Sequence, residues 1–287
     1  MSKNINCKII VCCHKQDIYA NSGPYFPIQV GKCLSSTDIG IQGDDNGNNI
    51  SSKNASYCEL TGMYWAWKNL KNVDVIGLCH YRRYFDFHSQ CKGPKPYMSV
   101  PSACFDSIDL SIPYNIIENS LNGQVYIAKP RNYRNSLMIE YCTSHISDDF
   151  RVLRQVIKET QPAEIQEAFF QVFYQNNKLS HYNMFIMNWL DFDAYCSWLF
   201  PILNIVEERI DISHYSTLQK RIFGYMSERL LNVWLYAKKK KNIKKLPVLW
   251  FNDADEPMKH STDLEYSVRS ALNNFAMLLL RHRNHNF

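Results

Sequence analysis

No stretch of this 287-residue chain approaches the roughly eighteen consecutive apolar residues that mark a membrane-spanning helix, so no span is expected. An apolar signal segment is missing from the first residues, Met-Ser-Lys-Asn-Ile-Asn-Cys-Lys, and the ten cysteines are scattered along a chain too long to need disulfide staples. Both features point to a reduced, cytoplasmic protein. Finger or ribbon spacing is lacking as well, so Cys12, Cys13, His14, Cys79 and His80 do not read as a zinc site, and the cysteines read as packing residues. A broad basic face is absent: the net charge is +5, and much of it sits in lysines 238–241 with Lys244 and Lys245, which argues against a nucleic-acid partner. No internal repeat is evident. What the chain has is apolar bulk, 46% hydrophobic and 14% aromatic residues, enough for one large α/β domain or two small ones and incompatible with disorder.

The organising stretch is residues 73–85. Val75, Ile76, Gly77, Leu78 and Cys79 form a short apolar run of the kind buried on both faces of a sheet, and it ends abruptly in His80, Tyr81, Arg82, Arg83 and Tyr84. In open α/β sheets ligands sit beyond the carboxyl ends of strands, and two adjacent guanidinium forks suit phosphate or carboxylate. The plainer alternative is a surface ion-pair cluster. Upstream, residues 54–70 read as a helix with Ser56 as N-cap and Glu59 in a capping box, and with Leu60, Met63, Tyr64 and Trp67 on one face.

Residues 8–13 form a first strand, which delivers His14 and Lys15 as diphosphate or base contacts. Residues 20–54, rich in Gly, Asn, Ser and Asp, read as a long loop in which Asp44 and Asp45 form a solvated turn. Residues 87–115 read as an irregular excursion, 116–122 as a short helix, and 124–128 as a strand. The latter ends in a second cationic cluster containing Arg131 and Arg134. Helices follow over 136–145, placing Tyr141 and His145 on one face, over 150–160, opened by Asp148 and Asp149, and over 162–177. Residues 179–187 read as a strand carrying His181, Tyr182 and Asn183. Asp191 and Asp193 open a helix over 191–205 and read as caps; they and Asp253 with Asp255 are weak matches to a metal-binding Asp-x-Asp. A helix over 216–236 places Glu228 among apolar neighbours, where a carboxylate needs a partner or a task. A strand over 246–251 and an amphipathic helix over 263–282, tipped by Arg281, His282 and Arg283, complete the chain.

Four blocks, Tyr-Cys-Glu-Leu-Thr-Gly-Met-Tyr-Trp-Ala-Trp-Lys-Asn (57–69), Gly-Leu-Cys-His-Tyr-Arg-Arg-Tyr-Phe (77–85), His-Tyr-Asn-Met-Phe-Ile-Met (181–187) and Phe-Gly-Tyr-Met-Ser-Glu-Arg-Leu (223–230), resemble a known family in content and order. The family is that of bacterial capsule and exopolysaccharide glycosyltransferases formerly filed as a domain of unknown function, some of them galactofuranosyltransferase-like; the resemblance covers roughly residues 7–250. It implies an α/β, GT-A-like glycosyltransferase fold, a mixed central sheet flanked by helices, over 1–251, with residues 252–287 as a helical tail. The implied activity moves a hexosyl unit, galactose or galactofuranose, from a nucleotide diphosphate sugar to a surface polysaccharide or lipid-linked glycan. A nucleotidyl or sugar-phosphate transferase and a non-catalytic carbohydrate-binding subunit are the alternatives. Where relatives of this fold hold a metal with Asp-x-Asp, this chain has residues 77–83, so His80, Arg82 and Arg83 are expected to replace the cation and a divalent metal is not favoured. Glu228 is the expected acceptor-binding or general-base carboxylate, with His145 and Asp149 in reserve. His14, Lys15, Tyr81, Trp67, Arg131, His181 and Asn183 are expected to bind substrate. The lysine run and the basic tail suggest attachment to an anionic membrane surface.

Overall fold

The computed structural model describes residues 5–239, 242–253 and 262–281. Its strands are β1 (Cys7–Cys13), β2 (Tyr25–Gln29), β3 (Gln42–Gly43), β4 (Val75–His80), β5 (Arg83–Phe85), β6 (Tyr97–Pro101), β7 (Val125–Ala128), β8 (Arg131–Asn132), β9 (Lys178–Leu179), β10 (Phe185–Asn188), β11 (Ile243–Leu246) and β12 (Val248–Asn252). The helices are α1 (Asn54–Tyr57), α2 (Leu60–Asn69), α3 (Tyr114–Leu121), α4 (Leu137–Ser144), α5 (Ser147–Thr160), α6 (Ala163–Phe173), α7 (Trp189–Glu207), α8 (Ile222–Ala237) and α9 (Asp263–Arg281).

The central sheet runs β11-β7-β10-β4-β1-β2-β3. β1, β2 and β4 are mutually parallel, whereas β10 lies antiparallel between β4 and β7. The carboxyl ends of β1, β4 and β7 therefore share one edge of the sheet with the amino end of β10, and that edge gathers the site. Alternation along β4 sends Ile76 and Leu78 into a core shared with α2, α7 and α8. Val75 and Cys79 enter a second core with Tyr84, Phe85, Val248 and Phe251 on the ribbon β5-β12-β6. Helices thus cover one face and the ribbon with α3 covers the other, the mixed, helix-flanked sheet that was expected. At Gly77 the strands crowd: a Cβ there would meet Ile9 Cδ1 at 2.6 Å and the Phe185 carbonyl oxygen at 2.8 Å, so only glycine lets β1 and β10 approach.

Five departures from the sequence reading stand out. The helix read over 54–70 is broken at Cys58 (φ +51°), so Ser56 and Glu59 form no capping box; the Ser56 hydroxyl donates to the Lys53 carbonyl. The strand read over 179–187 is likewise broken by consecutive left-handed residues, Tyr182 (φ +72°) and Asn183 (φ +51°). The supposed loop over 20–54 contributes β2 and β3; Pro27 is tolerated because β3 pairs only with Ile28 and Gln29, leaving the sheet edge open at the proline. Within that segment Asp44 is no solvated turn residue but fully buried, accepting from the amides of Gly31 and Lys32 and the Ser51 hydroxyl. Lysine-rich β11 was also missed, because Lys244 and Lys245 are exposed on an edge strand, where charge discourages further pairing.

Helix α9 docks on β8 through Asn132 Nδ2 to Asn274 Oδ1 (2.8 Å) and Asn177 Nδ2 to the Asn273 carbonyl (3.3 Å), with Met277 buried. Lys240, Lys241, Asp255, His282 and Arg283 lie outside the described residues. Among the described residues no helix is long and apolar enough to cross a membrane.

Candidate active site

A cavity of about 850 Å³ opens at the gathered sheet edge, a volume suited to a small-molecule ligand. The two residues Tyr81 and Arg82 turn β4 back into antiparallel β5, with His80 opposite Arg83. That hairpin separates the fates of neighbouring side chains. Arg82, at the turn, is neutralised: its Nη2 lies 2.8 Å from Asp17 Oδ2 and 2.9 Å from Asp253 Oδ2. Arg83 has no carboxylate partner among the described residues. Its guanidinium lies 4.8 Å from the Tyr182 ring and 5.1 Å from the Trp250 ring, and its buried Nε has no hydrogen bond. A cation held by aromatic faces and lacking a counter-ion is ready for an anion.

The left-handed turn at Tyr182 and Asn183 is fastened by three of the four blocks that carry the resemblance. His80 Nε2 lies 2.7 Å from the Tyr182 carbonyl oxygen, so Nε2 carries a proton and donates. The Tyr182 amide donates to Glu228 Oε1 (2.8 Å), and Asn183 Nδ2 donates to Glu59 Oε1 (2.7 Å) and the Ser227 hydroxyl (2.9 Å). Such bonds hold two non-glycine residues in a conformation that costs of order 1–3 kcal/mol each. Burial lowers the proton affinity of His80 despite the nearby Glu59, so at neutral pH it is an uncharged donor rather than the cation expected of it.

Burial pushes the Glu228 carboxyl up, but His181, Arg229 and the Tyr182 amide outweigh it and hold the pKa down at about 2. His181 Nδ1 stands 3.4 Å from Glu228 Oε2, and His181 Nε2 lies 2.6 Å from the Tyr133 hydroxyl oxygen. A carboxylate so held is a weak base. Glu59 lines the same cavity but differs in that its second oxygen makes no hydrogen bond among the described residues. Arg221, whose Nε donates to Cys58 Sγ at 3.3 Å, and Lys220 complete the cationic side.

His14, His80, Tyr81, Arg82, Arg83 and Glu228 thus meet in one cavity, with His181 and Asn183 behind it. Burial lowers the His14 pKa, and the ring packs edge-on against Tyr81. Other expected residues lie elsewhere. Lys15 is exposed beside Asp17. Trp67 stacks on Phe200 and donates to Asp193 Oδ1 (2.7 Å), so it packs α2 against α7 rather than binding sugar. Trp65 likewise packs on Phe26. His145 stacks on Tyr225 at 4.1 Å outside the cavity wall. Asp149 is buried in the first turn of α5 and accepts from the Tyr215 hydroxyl at 2.6 Å, which is a structural role. Arg131 lines a neighbouring cavity. Glu59, Tyr182, Arg221 and Trp250 were missed as site residues; for Glu59 the signal was its place in the first block, which the supposed capping box explained away. Asn188, not Asp191, caps α7. Among the described residues no group of three or more His, Cys, Asp and Glu is placed to hold a metal ion.

Sheet order, helix layers and cavity define a glycosyltransferase fold of GT-A-like kind. The structure is similar, with a TM-score of 0.74 and 27% identity, to the apo structure of the bifunctional glycosyltransferase WbbM; the match covers 90% of this chain and 48% of that one. The chain therefore spans about half the length of that protein. Residues 8–240 match the family described as "Domain of unknown function (DUF4422)", and the chain belongs to it. No curated protein matches the sequence.

Proposed function

We propose that the protein transfers a hexosyl unit, galactose or galactofuranose, from a nucleotide diphosphate sugar to a glycan or lipid-linked glycan acceptor. The observation that carries this reading is Arg83: a guanidinium without a counter-ion among the described residues, fixed between Tyr182 and Trp250 at the ligand-binding edge of the sheet. When the glycosyl bond breaks, negative charge grows on the leaving diphosphate, and fixed donors lower the barrier most where water is excluded. Arg83 meets that charge bidentately, supported by Arg221 and Lys220. The free oxygen of Glu59 takes the proton from the attacking hydroxyl, while Glu228 holds the turn that positions Glu59 through Asn183. This is a reassignment of the base from Glu228 to Glu59.

No divalent metal enters this scheme, because among the described acids around the cavity Glu59 alone keeps an oxygen free of protein partners, and one carboxylate oxygen is too few to hold an ion. Asp17 and Asp253 clamp Arg82, and Glu228 faces His181. The acceptor's lipid would bring the protein to an anionic membrane, towards which Lys238, Lys239, Lys244 and Lys245 are all exposed. The test is a panel of nucleotide sugars assayed for hydrolysis with and without EDTA. Release of a nucleoside diphosphate, insensitive to EDTA and lost in Arg83→Gln, is expected. Release of a monophosphate would point instead to sugar-phosphate transfer, and neither stabilisation nor turnover with any nucleotide sugar would leave a binding subunit.

A further inference from the structure

We infer that the second cavity, beside Arg131, is an acceptor subsite for a glycan bearing an oxyanion, either a phosphate or a sugar carboxylate. It measures about 820 Å³, and Arg131, Arg134 and Arg269 line it together with Tyr97 and Tyr133. The described carboxylate on its wall, Asp263, is already taken by Lys95 at 3.2 Å. Arg131 has no carboxylate partner among the described residues; it bonds the Tyr182 hydroxyl and lies 4.9 Å from the Tyr97 ring. A partly buried guanidinium with only phenol rings and a hydroxyl for company lacks the counter-charge that normally accompanies one. Tyrosine faces beside such a cation suit the flat face of a sugar next to an anionic group.

The two cavities are near neighbours. Tyr182 is contacted by two guanidinium groups that lack a carboxylate partner among the described residues, Arg83 at 4.8 Å and Arg131 at 5.6 Å from its ring centroid. Tyr97 of the second cavity packs edge-on against Trp250 of the first, with centroids 5.9 Å apart. A wall about one ring thick thus divides them, and an acceptor anchored by its anion at Arg131 can extend its terminal hydroxyl past Tyr182 towards Glu59. The proposal rests on reading the first cavity as the donor site.

Equilibrium dialysis of radiolabelled inorganic pyrophosphate separates the two readings. The wild-type chain is expected to bind two equivalents, Arg83→Gln one and Arg131→Gln one. If Arg131→Gln, with an unchanged near-ultraviolet spectrum, still binds two, the acceptor subsite is overturned. If Arg83→Gln keeps two while Arg131→Gln keeps one, the donor reading fails and the subsite stands. A wild-type stoichiometry of one that Arg83→Gln removes also overturns the subsite. Should Arg131→Gln fail to fold, exposed Arg134→Ala decides: one equivalent weakens by about tenfold, the scale of one charged hydrogen bond, or the proposal falls. In Arg83→Gln, displacement of pyrophosphate by methyl α-glucuronide assigns the oxyanion to an acidic sugar, and displacement by geranyl diphosphate assigns it to a lipid diphosphate. Displacement by neither overturns the inference.

Discussion

The strand ends after β4 and β7 look alike in sequence: each passes from apolar residues into arginine and tyrosine. Their surroundings differ. Beyond β4, Arg83, which has no carboxylate partner among the described residues, shares its cavity with two carboxylates, Glu59 and Glu228. Beyond β7, Arg131 meets tyrosine rings, and the carboxylate described beside it already serves Lys95. An electrophile-stabilising cation next to a free carboxylate oxygen can run group transfer, whereas a cation among phenols can only hold. The same contrast separates neighbours in the chain, since Arg82 is spent on two aspartates and Arg83 on none of the described ones.

The largest effect should come from Glu59→Gln, which keeps the contact with Asn183 but loses the base; turnover on the acceptor should fall about 10²- to 10⁴-fold while nucleotide binding persists. An undiminished rate would return the base to Glu228. Next comes Arg83→Lys, which keeps charge but loses the fork and the ring stacking. A drop of about 10²- to 10³-fold in kcat is expected, against no more than several-fold for Arg82→Lys. Equal losses at the two positions would erase the distinction between them.

A third effect is on stability. Glu228 ionises more easily folded than unfolded, so its contribution is fully present above its ordinary pKa near 4.5 and is lost as pH falls towards about 2. Acid unfolding followed by circular dichroism should lose this limb in Glu228→Gln, and an unchanged acid profile would mean that the carboxylate is not so held. Asp149 runs the other way: burial raises its pKa despite the Tyr215 hydroxyl, so ionisation weighs on the fold at neutral pH. Asp149→Asn should leave turnover intact and the unfolding temperature level or higher; a clear loss of activity would restore it as a site residue.

The smallest effect concerns the membrane. Each exposed lysine near an anionic surface adds on the order of 1 kcal/mol, so replacing Lys238, Lys239, Lys244 and Lys245 by glutamine should abolish salt-sensitive pelleting with anionic vesicles. Wild-type protein that stays in the supernatant at low salt would remove the idea.

By itself the sequence determined the central strand and its cationic ending, because a run such as Val75 to Cys79 without polar alternation has few places to go except between two covered faces. It also determined most helices, whose apolar residues recur at the helical period and whose ends carry local signals, as Ser136 does at α4. Trp67 shows where that stops: an aromatic on a helix face is equally ready for a sugar or for Phe200, and only the position of α7 chose. Tertiary structure alone decided that Arg82 meets two aspartates and Arg83 two aromatic rings, since those partners, Asp17, Tyr182, Trp250 and Asp253, lie far away in the chain. It alone broke the backbone at Cys58 and Tyr182, non-glycine residues with positive φ that no local propensity favours, and beside Tyr182 at Asn183, a residue type that reaches that region more readily. The break at Tyr182 and Asn183 persists because hydrogen bonds with His80, Glu228 and Glu59 offset its cost, and it thereby ties Glu59, just after the break at Cys58, to the cavity that Glu228 lines from α8.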